Sequence, residues 1–143
     1  MAYWLLKSEA ESWSWDQQKK AGAKGAEWTG VRNFQARNNM RAMKQGDLGF
    51  FYLSGADKAV VGIVKVVKEA HPDSTDETGQ WECVDVAAVA DLPQPVTLAA
   101  VKANPKLKDM VLARVSRLSV QPVSSQEWSM ICKLGGLTKP PQG

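Results

Sequence analysis

Apolar residues along this chain recur in short runs of strand length, broken by polar clusters and by glycine. Tyr3 to Lys7 mixes aromatic and aliphatic residues with no helix start signal, the pattern of a first strand buried on both sides. Ser14 followed by Gln17 has the spacing of a capping box, which predicts a short helix from Trp15 to about Ala21, ended by Gly22. Gly22 to Gly30 reads as a loop around Trp28. From Asn33 to Met43 the residues favour helix, and Ala36, Met40 and Met43 fall on one apolar stripe that faces the core. Leu48–Leu53 and Ala59–Val67 predict a hairpin around a loop at Ser54 to Lys58. After a polar, turn-rich stretch from His71 to Gly79, Trp81 to Leu92 predicts a fourth strand with Val84, Val86 and Ala88 on one face. Pro93 and Pro95 are expected to end it, Thr97 to cap a helix over Leu98–Ala103, and Pro105 to stop that helix. Leu118–Val123 predicts a last strand. Ser124 with Glu127 is a second capping box, for a helix that ends at Gly135.

Several strands with interspersed short helices, rather than regular alternation, predict an α+β protein on a mostly antiparallel sheet or barrel. At 143 residues, 44% hydrophobic and 23% charged, the chain has the size and composition of one globular domain, expected over residues 1–136 with a loose tail at 137–143. The longest apolar runs, Leu48–Leu53 and Ala59–Val64, fall far short of the roughly 20 residues of a membrane helix. Tyr3-Trp4-Leu5-Leu6-Lys7 lacks the features of a secretory signal, and Cys83 and Cys132 lack metal-like spacing; a cytoplasmic protein with two buried thiols is expected.

The net charge of +3 is too mild to identify a partner, but its distribution is uneven. Arg32, Arg37, Arg41 and Lys44 lie in a segment without acids, and the last three share one helical spacing, forming an expected cationic ridge. From Glu69 to Asp91 there are seven acids and no Lys or Arg. Residues 102 to 117 turn basic again, ending at Arg117.

Lys7-Ser8-Glu9, the stretch from Trp28-Thr29-Gly30 through Val31-Arg32-Asn33 to Asn38, Phe51-Tyr52-Leu53-Ser54, Val61-Gly62-Ile63 and Arg117 to Val123 closely resemble the EVE-domain family. The resemblance covers the chain to about Gly136. It implies a PUA-like, mostly antiparallel barrel with short flanking helices, related to YTH domains, and a pocket for a flipped, modified base such as a methylated cytosine. Carried over by residue, that pocket is lined by Lys7, Ser8, Trp28, Gly30, Val31, Arg32, Asn33, Leu53 and Ser54. The sequence departs from the family pattern at Ala10, where proline is usual, Phe34, where tyrosine is common, and Leu53, where histidine often precedes the serine. A leucine at 53 cannot donate the hydrogen bond of an imidazole, so an altered ligand preference is expected there.

These residue types suit a base, which offers a flat face for an aromatic platform and an edge for directed polar groups. Trp28 supplies a platform, or else packs under its loop; Asn33 has the chemistry of a base-edge reader and equally of an N-cap; Arg32 can reach a phosphate or stack. Trp4, Trp13, Trp15, Trp81 and Trp128 are expected in the core or as staples. Arg37, Arg41, Lys44 and Arg117 are the candidate phosphate contacts, the first three equally readable as a solvated helix face. His71 near Asp73, Asp76 and Glu77 reads as a solvent-facing histidine, so no metal is expected, and no cofactor. With one histidine and no acid–histidine–serine logic, no catalysis is expected. The leading expectation is a reader of modified bases in DNA or RNA, with a separate nuclease or modification system as a further partner. The alternatives are a binder of a free planar molecule such as a nucleobase or nucleoside, and an enzyme using Glu9 or Asp47 on a modified base.

Overall fold

The protein is described from a computed structural model that covers residues 2–55, 57–115, 117–138 and 141. In chain order the elements are β1 (Tyr3–Glu9), α1 (Trp15–Lys20), β2 (Ala26–Glu27), α2 (Phe34–Ala42), β3 (Leu48–Ser54), β4 (Ala59–Pro72), β5 (Glu82–Thr97), α3 (Leu98–Ala103), α4 (Val111–Arg114), β6 (Val120–Val123) and α5 (Ser125–Leu134). The strands form one sheet in the order β2-β5-β4-β3-β1-β6, in which β1 and β3 run parallel and every other pair is antiparallel.

Alternation along the strands sends side chains into two separate cores. Trp4 and Leu6, Phe51, Val64 and Val66, Val84 and Val86, and Val120 converge on an inner core closed by Trp15, Trp28 and the stripe Ala36, Met40 and Met43. Leu5, Phe50, Tyr52, Val60 and Ile63 face the other way, onto an outer core covered by Val101, Leu107, Leu112, Trp128 and Ile131 of α3, α4, α5 and their connections. Strands from opposite ends of the sheet order share the inner core, so the sheet curls on itself. Helix α2 bridges the open side: Asn39 Nδ2 donates to the Val120 carbonyl on edge strand β6 (2.7 Å), and Arg37 donates to the Gln80 carbonyl just ahead of β5. An edge carbonyl that would otherwise invite another strand is thereby satisfied.

The predicted caps form as expected. Ser14 and Gln17 bond reciprocally at the start of α1, Ser124 and Glu127 at the start of α5, and the Thr97 side chain caps α3. Strand β5, by contrast, runs through Pro93 and Pro95 to Thr97. Its register jumps from Asp91 opposite Gly62 to Val96 opposite Val60, so residues 92–95 bulge outward. The prolines sit where no ladder N–H is needed, and this bulge is what the expected strand break became. Helix α4 lies in a stretch to which no element had been assigned. Gly62 faces the inner core with the Trp15 ring laid against it: a Cβ there would come within 2.1 Å of the ring. The Trp15 indole N–H in turn donates to Asp91 on the neighbouring strand (2.6 Å).

The expected loose tail falls largely outside the described residues. Within them, Leu137 packs against the outer core and Trp128 Nε1 donates to the Pro141 carbonyl at 2.9 Å. Among the described residues no helix is long and apolar enough to cross a membrane.

Candidate functional site

A cleft of about 470 Å³ opens between the C-terminal end of β1, the segment leading to α1, and the segment that follows β2. Lys7, Ser8, Glu9, Ser12, Trp13, Glu27, Trp28, Thr29 and Gly30 are among its lining residues. Register explains the placement: Lys7 and Ser8 stand at the end of β1, where β3 still pairs with them through Tyr52 and Leu53, and the chain then turns away to reach α1.

Trp28 is both pocket wall and packing residue. It is 6% exposed, belongs to the inner core, and meets Phe51 edge-on with ring centroids 5.5 Å apart, while another part of it borders the cleft. Its backbone N–H donates to the Val84 carbonyl (2.8 Å), so the loop is tethered to β5 just beyond β2. The second indole of the cleft is Trp13, expected in the core or as a staple, which packs against the inner core and also lines the cleft. Its N–H donates to Gln18 Oε1 at 2.8 Å, and the fully buried Gln18 passes the tether on by donating to the Val86 carbonyl at 2.9 Å. The turn-forming composition around Trp13 gave no signal for this role; its nearness to the capping box, which fixes where α1 begins, is the feature that could have. Ser8 Oγ donates its only proton to the Trp13 carbonyl (2.6 Å), so towards the cleft it can only accept. Lys7 is half-buried, its ammonium 5.8 Å from the Tyr52 ring centroid, and burial lowers its pKa.

The loop from Trp28 to Arg32 is held by Asp73, a residue that sequence reasoning left without a role. Its side chain is buried, and its carboxylate accepts from the Gly30 N–H (2.9 Å), Arg32 Nη1 (3.2 Å), the Thr75 N–H (2.7 Å) and the Thr75 hydroxyl (2.6 Å). Burial pushes the Asp73 carboxyl upward, but the bonds from Thr75, Gly30 and Arg32 together outweigh it and leave the pKa below the usual value. Gly30 has a φ of +84°, a left-handed conformation that favours glycine.

Several expected pocket residues stand elsewhere. Val31 is buried in the inner core, Arg32 is committed to Asp73 and its own neighbour's carbonyl, and Asn33 caps α2 by accepting from the Ala36 N–H at 2.9 Å. Leu53 packs against the inner core and stands beside Ser8 in the β1–β3 register, outside the lining of the cleft itself. Ser54 lines a separate hollow of about 300 Å³, whose walls also include Lys7, Tyr52, Lys58 and Lys102. Lys7 is thus shared by the two cavities.

The expected cationic ridge is not a row of free charges. Arg41 pairs with Glu82, and the Arg37 guanidinium lies 4.9 Å from the Phe34 ring centroid and 5.5 Å from that of Trp81. Lys44 lies beyond the end of α2, because Met43 has already turned extended. Lys44 and Arg117 are exposed. The acids of residues 69–91 explain the pairing: folding lays that segment beside α2. Lys58 and Lys102, which the sequence reading did not single out, make no ion pair among the described residues. Asp47 is buried and away from the cleft, accepting from Trp4 Nε1 (3.0 Å) and the Lys44 N–H (3.0 Å), the pattern of a structural carboxylate.

With this geometry in place, comparison with known proteins identifies the family: its model, described as the EVE domain, matches residues 2–134. The chain belongs to the EVE domain family. An Agrobacterium tumefaciens crystal structure is 58% identical and superposes with a TM-score of 0.95, covering 99% of this chain and 98% of that one. Human thymocyte nuclear protein 1 is 34% identical, with 93% of this chain and 73% of that protein aligned. Its structure in complex with DNA containing 5-methylcytosine has a TM-score of 0.87 to this EVE domain, covering 99% of this chain and all of that one. A Zygosaccharomyces rouxii YTH domain, solved in complex with N6-methyladenosine RNA, has a TM-score of 0.58 at 14% identity, covering 97% and 89%, a likeness of fold. The expected α+β, PUA-like architecture is the one observed.

Proposed function

We propose that this EVE domain is a nucleic-acid-binding module that holds a base, foremost a modified one such as 5-methylcytosine, in the cleft lined by Trp13 and Trp28. The observation that carries the reading is chemical: two indoles, a hydroxyl restricted to accepting, and a half-buried lysine border one cleft. The complex of human thymocyte nuclear protein 1 with methylated DNA supports the same class of ligand. A flat base stacks on an indole, for about 1–3 kcal/mol by alanine substitution. Ser8 Oγ accepts from an exocyclic amine, as found on cytosine and adenine. One methyl group against the apolar wall adds discrimination of about 1–3 kcal/mol, so selectivity for the mark is modest. Flanking phosphates are met by exposed cations, Lys58 and Lys102 of the hollow that shares Lys7 with the cleft, together with Lys44 and Arg117; Arg37 and Arg41 contribute less because their charge is already engaged.

The module performs recognition without chemistry. The Ser8 hydroxyl donates to the Trp13 main-chain carbonyl, an arrangement that supports binding over nucleophilic attack, and processing of a marked strand falls to a separate nuclease or modification enzyme. A reducing, cytoplasmic setting fits two separate buried thiols, Cys83 and Cys132.

The test is binding of matched DNA and RNA oligonucleotides, unmodified, cytosine-methylated and adenine-methylated, at two salt concentrations. Wild type is compared with Ser12→Trp, which fills the cleft from an exposed loop position. The expected result is preference for one modified oligonucleotide, lost in Ser12→Trp while salt-sensitive background binding persists. Equal binding of all oligonucleotides by both proteins would overturn base reading. Salt-independent capture of a free nucleoside, with no oligonucleotide bound, would establish the small-molecule alternative.

A further inference from the structure

At the edge of the cleft, where Glu27 belongs to the lining, three side chains far apart in sequence present ligand atoms to one point. Glu27 Oε1 lies 3.4 Å from Cys83 Sγ, and His71 Nε2 lies 3.8 Å from the same sulfur. All three atoms lie within 4.8 Å of one another. Tetrahedral zinc, with Zn–S near 2.3 Å and Zn–N or Zn–O near 2.0–2.1 Å, needs sulfur-to-ligand edges of about 3.5 Å, so both sulfur edges are already close to those of a metal site. The second ring nitrogen supplies an independent sign: His71 Nδ1 lies 3.1 Å from the Pro72 carbonyl. Donation from Nδ1 to that carbonyl would hold the ring with Nε2 towards a metal once the Nε2 contact with Asp85 is released, the outer-shell arrangement found at histidine–metal sites. Asp85 Oδ1 stands 2.7 Å from Nε2 and is the nearest further carboxylate.

We propose that Glu27, His71 and Cys83 bind one zinc-class divalent ion, with Asp85 or water in the fourth position. A thiol, an imidazole and a carboxylate select zinc or cobalt over magnesium or calcium, which prefer all-oxygen shells. Binding displaces the Cys83 thiol proton, and the Nε2 proton that faces Asp85 leaves or moves to Nδ1, so that His71 ligates as a neutral imidazole; no electrons move. The His71–Asp85 contact is given up, and the metal takes the place of the imidazole as the partner of the carboxylate. The ion would join β2 to the adjoining ends of β4 and β5, one residue before Trp28, and so brace a wall of the cleft. The sequence reading saw no metal because His71 opens an acidic, turn-rich stretch, with Cys83 12 residues away and Glu27 56 residues from Cys83.

The experiment is a cobalt(II) titration of the reduced, chelator-treated full-length protein, followed by absorbance. Wild type is expected to take up one equivalent with a tetrahedral visible spectrum and a thiolate charge-transfer band, both abolished by competing zinc. Cys132→Ser should retain both features. Cys83→Ser should lose the charge-transfer band, and His71→Gln should bind at least about tenfold more weakly, with folding checked by circular dichroism. Native mass spectrometry of wild type alone should show one zinc retained and no magnesium, a result that depends on no variant. Failure of wild type to retain zinc, or an undiminished band in Cys83→Ser, would overturn the proposal. Neither result depends on whether the cleft holds a base.

Discussion

At the scale of single residues, Gln18 couples the core to the cleft. It is fully buried, accepts the Trp13 indole N–H and donates to the Val86 carbonyl, so its removal leaves a buried carbonyl and an indole N–H without their partner. Gln18→Ala is expected to lower stability by about 1–3 kcal/mol in urea unfolding and to weaken base binding further, because Trp13 loses its tether. Gly62 is a packing requirement rather than a turn. Since a Cβ would collide with the Trp15 ring, Gly62→Ala should cost about 1–3 kcal/mol and shift the tryptophan fluorescence; an unchanged unfolding midpoint would show that the ring moves aside freely. The capping serines were readable because a cap is a local bargain between residues three apart. Trp13 and Gln18 were not, since their roles depend on strand β5, which lies nearly seventy residues away.

Among the elements, the turn between β4 and β5 does most to shape the site. Asp76 accepts from the Thr78 hydroxyl and from the Trp81 and Thr78 backbone N–H groups, which together hold its pKa down from 3.8 to about 2. A carboxyl depressed in the folded state contributes its stabilisation above the unfolded pKa and loses it as pH falls through the folded value. The turn should therefore hold above about pH 4 and loosen between about pH 4 and 2. Asp73 acts with the same sign, its pKa also depressed. Amide exchange of Gly30, Thr75 and Trp81 across that range is the measurement, and protection unchanged down to pH 2 would contradict it. Asp73→Asn should release the loop from Trp28 to Arg32 and reduce base affinity more than global stability. In α5, Ser124→Ala should cost about 1 kcal/mol by leaving the Glu127 N–H uncapped. Strand β5 shows what periodicity misses: a proline removes a ladder hydrogen bond only where the ladder is regular, and the bulge at residues 92–95 was set by the partner strand.

For the whole molecule, charge along the chain and charge on the surface differ. The basic segment of residues 31–46 folds against the acids of residues 69–91, so Arg32 and Arg41 are neutralised by Asp73 and Glu82. Oligonucleotide binding should consequently respond more to Lys58→Ala combined with Lys102→Ala than to Arg41→Ala. The double variant should reduce the slope of log affinity against log salt by about 0.7–0.9 for each phosphate contact removed. A larger loss in Arg41→Ala would place the nucleic acid on α2 instead.

Local physics determined much of this protein from the sequence by itself: the helix starts at Ser14, Asn33, Thr97 and Ser124, the apolar stripe of α2, the hairpin of β3 and β4, and a family likeness that led to Lys7, Ser8 and Trp28. Caps, periodicity and motifs are contained within a few neighbouring residues, so they can be read without the fold. Tertiary structure alone decided that Trp13 joins Trp28 at the cleft, that Asp73 holds its loop, that the arginines of α2 are engaged, and that Glu27, His71 and Cys83 meet. Each of these depends on sheet curvature and strand register, which bring together residues separated by dozens of positions and leave no periodic trace in the chain.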